Sequence, residues 1–203
     1  MMPNPNHLRH PRIQSSAKPQ NQLAKELHRL LVKKPDGKVA RTTFVGIGSE
    51  LRGDDAVGVV IVNRLSARQS SSDRSDSLSS FLFINGGCAP ENVLGEIKAF
   101  QPEIIVFIDA AIVGDSGENG EDKTRKSGTI RLIDTGKEKI SGISFCTHSL
   151  PLTIIANYIR QSISCEIFVI GIEPGDMDFR PDCALTPPVD EAAAEVIEVI
   201  VNL

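Results

Sequence analysis

The sequence predicts an α/β sandwich around a mostly parallel sheet, and three observations carry that expectation. Apolar runs of strand length alternate along the chain with segments of helical periodicity. Two of the runs, EIIVFIDA at 103–110 and EIFVIGI at 166–172, are almost continuously apolar, as strands covered on both faces are. With 203 residues, 40% of them hydrophobic, the chain can bury one substantial core, which favours one domain with appendages.

The elements follow in order. Residues 1–20 mix Pro, Asn, Ser and basic residues without periodicity, so a disordered basic tail is expected there. Residues 21–40 read as an amphipathic helix and linker, with Leu23, Leu27, Leu30 and Leu31 at helical spacing and Pro35, Asp36 and Gly37 as the stop. The main domain spans 41–203. It opens on a strand around Phe44 and Val45, a turn at Gly46, and a helix built on Ala56, Val57, Val59, Val60, Val62 and Leu65. A serine-rich loop over 68–80 leads to a second strand, FLFIN at 81–85. Pro90 suits the first turn of a helix running to Phe100. The strand at 103–110 follows, then a polar excursion over 114–127 that is expected to be mobile, and the alternating strand TIRLID at 129–134. Leu152, Ile154, Ile155 and Ile159 mark another helix, 166–172 another strand, and Pro187 and Pro188 open a terminal helix.

Charge divides the chain. Residues 1–41 hold nine Lys/Arg against Glu26 and Asp36, leaving 13 basic and 24 acidic residues beyond Arg41. The basic arm lacks an arginine-rich block and interleaved aromatics, which argues against nucleic-acid binding. Nothing approaches a membrane span or a signal peptide, so a cytoplasmic protein without membrane insertion is expected. Cys88, Cys146, Cys165 and Cys183 form no CxxC pair, and read as buried or half-buried thiols.

In parallel sheets ligands sit beyond the carboxyl ends of strands, so polar residues there carry the functional argument. The first such place is GIGSELRGDDAVG, at 46–58. A dinucleotide fingerprint needs a third glycine where Leu51 stands. A phosphate loop has the spacing of Gly48 and Gly53 but needs lysine and a hydroxyl where Asp54 and Asp55 stand, and two carboxylates repel phosphate. One aspartate is explained by helix capping; the second leaves capping and cation ligation both open. Asp109 closes the most buried strand, where a charge is costly unless paired, hydrogen-bonded or bound to a cation. His148, the only histidine outside the N-terminal arm, stands where a loop meets a helix. Asp55, Asp109 and His148 together supply two oxygen donors and one nitrogen donor, a set that suits zinc, nickel, cobalt or iron.

With these residues in view, the sequence resembles the hydrogenase maturation endopeptidases that process the large subunit of nickel-iron hydrogenases. The passages GIGSELRGDDAVG, INGGCAPEN, IIVFIDA, THSLPL, GIEPGDMDF and LTPPV carry the resemblance in order, over about residues 42–203. The GGCAPEN and THSLPL forms are most similar to the branch serving formate-linked or energy-converting hydrogenases. The resemblance implies a three-layer α/β/α sandwich with a twisted sheet of about five strands. It implies metal contacts at Asp55, Asp109 and His148, with Asp54 as an accessory catalytic base or a cap. The implied metal is nickel, supplied by the large-subunit precursor, with zinc or cadmium substituting in vitro. The implied reaction is removal of a C-terminal peptide from that precursor by a monomer, the loop glycines admitting the substrate backbone. One position departs: the family has Asp where this chain has Asn85, which puts a charge-dependent role there in doubt. A non-catalytic nickel-sensing chaperone or checkpoint for the same precursor is the alternative, and a nucleotide-binding domain a third reading.

Overall fold

The computed structural model describes residues 19–32, 38–71, 78–112, 126–136, 144–145, 152–182 and 184–203. Among these, six strands lie between two helical layers: β1 (Thr42–Ile47), β2 (Phe81–Gly87), β3 (Ile104–Ile112), β4 (Ile130–Asp134), β5 (Ser144–Phe145) and β6 (Glu166–Ile172). The sheet runs β2-β1-β3-β6-β4, with β5 added to the end of β3. β2, β1, β3 and β6 are parallel, β4 runs antiparallel to β6, and β5 runs antiparallel to β3. The chain steps from β1 outward to β2 and then crosses back past β1 to β3, so the connections beyond these strands diverge there.

Five helices complete the described fold: α1 (Pro19–Leu31), α2 (Val57–Ser71), α3 (Leu94–Phe100), α4 (Leu152–Ser162) and α5 (Pro187–Val201). Short 3-10 turns, Gly53–Ala56 and Pro90–Val93, precede α2 and α3. Side-chain alternation along β3 divides the core. Ile104, Val106, Ile108 and Ala110 face a cluster with residues of α1, α2 and α5. Ile105 and Phe107 face the other way, among Ile97 of α3 and Leu152, Ile155, Ala156 and Ile159 of α4. This is the three-layer sandwich with a mostly parallel sheet.

Some boundaries differ from the sequence expectation. α1 begins at Pro19, and it buries Leu23, Leu27, Leu30 and Leu31 in the same cluster as α2 and α5. Its apolar stripe is therefore covered by this chain's own body. α2 runs on to Ser71, four residues into the expected serine-rich loop, because a helix already packed along its length carries a polar last turn at little cost. The helix expected from Pro90 is a 3-10 turn followed by α3, and it stops at Gln101, the one described non-glycine residue with positive φ. Of the tail expected over 1–20, residues 1–18 lie outside the described residues and Pro19 and Gln20 belong to α1; most of the 114–127 excursion also lies outside the described residues. No described helix is long and apolar enough to cross a membrane.

Candidate active site

The carboxyl ends of β1, β3 and β6 gather the buried charges. Asp54, Asp55 and Asp109 are fully buried, and Glu173, just beyond β6, is 3% exposed. Asp55 lies on the 3-10 turn that follows β1. The turn is tight: Gly48 sits at φ +130°, and a Cβ there would lie 1.7 Å from the Asp55 carbonyl oxygen. Only glycine admits that approach. The closed loop brings the Ser49 N–H to 2.8 Å from Asp55 Oδ2, which orients the carboxylate from its own loop. At Gly53, φ +48°, the space of a Cβ is taken by the Asp176 carbonyl oxygen, 2.7 Å away. The expectation that the loop glycines admit a substrate backbone is thus corrected, since at both positions the protein's own backbone fills the room.

Asp54 differs from its neighbour. Its Oδ2 accepts the N–H groups of Gly175 (2.7 Å) and Asp176 (2.9 Å) and the Thr186 hydroxyl (2.8 Å), and its Oδ1 accepts the Thr186 N–H (2.6 Å). These donors belong to the β6–α5 loop, more than 120 residues away in sequence. The expected cap of α2 by Asp54 is therefore corrected: the carboxylate serves a distant loop. Four donors supply a buried carboxylate with hydrogen-bond partners from the protein itself.

Asp109 stands on β3 in register with Gly171 of β6. By alternation its side chain follows Ile105 and Phe107 onto the α3/α4 face. Asp55 and Asp109 thus occupy the same end of the sheet, the 3-10 turn lying against β3. His148 lies outside the described residues, four positions before α4 begins. Among the described residues, no group of three His, Cys, Asp or Glu side chains is placed to hold a metal ion. Two of the three expected metal contacts, Asp55 and Asp109, supply oxygen donors of the kind a divalent cation takes.

The loop after β2 is tied to the loop after β1. Gly48 N–H donates to the Gly87 carbonyl at 3.0 Å, and Cys88 Sγ approaches the Gly48 carbonyl at 3.6 Å. Asn85 Oδ1 accepts the Gly87 N–H at 3.0 Å, closing the turn. That bond needs an oxygen and no charge, so an amide makes it as well as a carboxylate. Cys88 is exposed and Cys165 half-buried, so Cys88 departs from the expected burial; Cys146 and Cys183 lie outside the described residues. Cys88 stands in the turn that directly follows β2.

Two site residues escaped sequence reasoning. Glu173 closes the apolar run of β6 as Asp109 closes that of β3, and the same argument finds it. Thr186 precedes Pro187 and Pro188 and reads as a helix cap, yet it makes no side-chain cap bond and turns its hydroxyl to Asp54. That pairing had no local signal.

Comparison with known proteins decides the family. The HycI family, described as hydrogenase maturation protease, matches residues 59–203. The chain belongs to this family. It is 32% identical over 141 residues to a Methanocaldococcus jannaschii protein provisionally assigned as a hydrogenase maturation protease, covering 70% of this chain and 76% of that one. It is 26% identical over 152 residues to the hydrogenase 3 maturation protease of Escherichia coli K12, covering 75% and 83%. The crystal structure of a nickel-iron hydrogenase maturation protease HycI from Thermococcus kodakarensis superposes with a TM-score of 0.67 at 29% identity, over 87% of this chain and 97% of that one. As a member of the HycI family, the chain is a processing endopeptidase.

Proposed function

We propose that the protein removes a C-terminal peptide from the nickel-loaded large-subunit precursor of a nickel-iron hydrogenase, reading the nickel through Asp55, Asp109 and His148. The observation that supports this reading is the burial of two carboxylates, Asp55 and Asp109, at one end of the sheet in a chain of the HycI family. Buried carboxylates facing a loop-lined site favour a cation over an anion.

The nickel arrives with the precursor and is part of the substrate; zinc or cadmium would take the same donors in vitro. It supplies Lewis acidity next to the scissile amide. The chain's own contribution is to hold donors in place: the Ser49 N–H fixes Asp55, and the β3–β6 ladder fixes Asp109. The enzyme acts as a cytoplasmic monomer in this reading. A non-catalytic checkpoint gains nothing from Asn85, because its bond to Gly87 is one an uncharged amide makes in full.

The test is to incubate the protein with nickel-loaded and nickel-free precursor and to look for the released peptide by mass spectrometry. Peptide is expected only from the loaded precursor, and Asp55→Ala or His148→Ala abolishes it. Cleavage of the nickel-free precursor at the same rate would remove nickel from the account. A stable complex without peptide would make the protein a checkpoint.

A further inference from the structure

The loops that follow β1 and β6 are joined over the carboxyl end of β3, the strand between them. Two backbone bonds make part of the join: Asp54 N–H to the Asp176 carbonyl at 2.8 Å, and Arg180 N–H to the Leu51 carbonyl at 2.8 Å. The Asp54 carboxylate makes the rest, with its four bonds to Gly175, Asp176 and Thr186. An Arg180–Asp176 ion pair at 2.6 Å stiffens the far side of the loop.

Among its charged neighbours, the join presents two large apolar side chains. Leu51 is 51% exposed and Phe179 is 71% exposed, and the bond from Arg180 to Leu51 sets the two residues on neighbouring stretches of backbone. Large apolar side chains held outward on a tied loop are an arrangement that folding alone does not reward. Asp55 is fully buried on the same 3-10 turn, directly after Asp54, so the tied loops lie beside the candidate site. We infer that Asp54 is a positioning residue: it clamps the β6–α5 loop so that Phe179 and Leu51 together receive an apolar side chain of an extended precursor segment beside the cleavage point. This rests on the precursor being the substrate, as proposed above. It assigns Asp54 a part in substrate binding and none in proton transfer, because the carboxylate oxygens are already committed to four donors.

The experiment combines processing kinetics on nickel-loaded precursor with amide hydrogen exchange. Asp54→Asn keeps the shape but sets an amide N–H₂ against at least one of the four donors. It is expected to raise KM about tenfold with kcat within about threefold, and Phe179→Ala to do likewise, as loss of binding without loss of chemistry does. The two changes share one mechanism, so the double variant should be no worse than about twofold beyond either single one. Thr186→Val removes one bond only and serves if Asp54→Asn fails to fold; Thr186→Ser, which keeps the hydroxyl, should restore wild-type KM. In the exchange arm, the amides of Gly175, Asp176 and Thr186 should lose protection in Asp54→Asn while those of β3 keep theirs. A fall in kcat at unchanged KM, or multiplicative effects of Asp54→Asn and Phe179→Ala, would overturn the assignment. Unchanged protection of the three amides would overturn the clamp. If wild-type protein does not cut the precursor at all, the substrate reading fails, and the exchange arm still decides the clamp by itself.

Discussion

On one face of the sheet, α1, α2 and α5 cover Phe44, Phe81, Phe83, Phe168 and Ile104, Val106, Ile108 and Ala110 of β3; on the other, α3 and α4 cover Val45, Ile47, Phe107 and Val169. The first face carries three helices of 13 to 15 residues, closed on each other by α1 against α5 and α5 against α2. The second carries helices of 7 and 11 residues, and α4 leaves Ile154 and Tyr158 about half exposed. Asp109 points to the thinner side. Stability is thus concentrated on one face, and the side chains proposed to act are placed at the end of the sheet and toward the other, where less packing constrains them.

That division can be broken by comparing core truncations. Phe44 is fully buried, stacked on Phe83 with centroids 5.5 Å apart and edge-on to Phe81 at 5.4 Å. Phe44→Ala should cost about 3–5 kcal/mol in denaturant unfolding. Ile159→Ala on the thinner face should cost about 2–3 kcal/mol, the lower part of the range for such a change, because a helix with an open side relaxes more readily into the cavity. Equal losses at the two sites would show that the faces do not differ in rigidity.

A smaller effect sharpens the same comparison on the thick face. Burial pushes the Glu195 carboxyl of α5 above its usual range, and its buried Oε1 has no hydrogen-bond partner among the described residues. The folded state then holds the proton more tightly than the unfolded state. The stability from this group is complete below the ordinary carboxylate pKa, about 4.3, and is lost as pH rises through the raised value. Glu195→Gln should therefore raise Tm by about 1–2 °C at neutral pH and by nothing near pH 4, measured by thermal unfolding across pH. A constant difference at all pH values would assign the effect to packing.

The fold was legible because its strands carry their own signature. The continuous apolar run at 103–110 identified β3 as a strand covered on both faces, and the leucine spacing from Leu23 to Leu31 identified α1. Strand order and the antiparallel direction of β4 were not legible, since neither leaves a local pattern in TIRLID. β5 is two residues long, too short to read. At the site, the logic of a charge closing a buried strand located Asp109 and applies equally to Glu173. The difference between Asp54 and Asp55 could not be read from adjacent letters, because it is set by Gly175, Asp176 and Thr186 across the fold. Glycines that in sequence suggested access for a ligand proved to be places where backbone meets backbone.

The measurement that tests the central claim most directly is the single-turnover rate of precursor processing by Asp109→Asn, taken beside its denaturant midpoint. A buried carboxylate kept for function is expected to give a rate lower by about 10³-fold or more, with stability changed by less than about 1 kcal/mol. A wild-type rate together with a large fall in stability would show that Asp109 is buried to hold the sheet together, and that the site lies elsewhere.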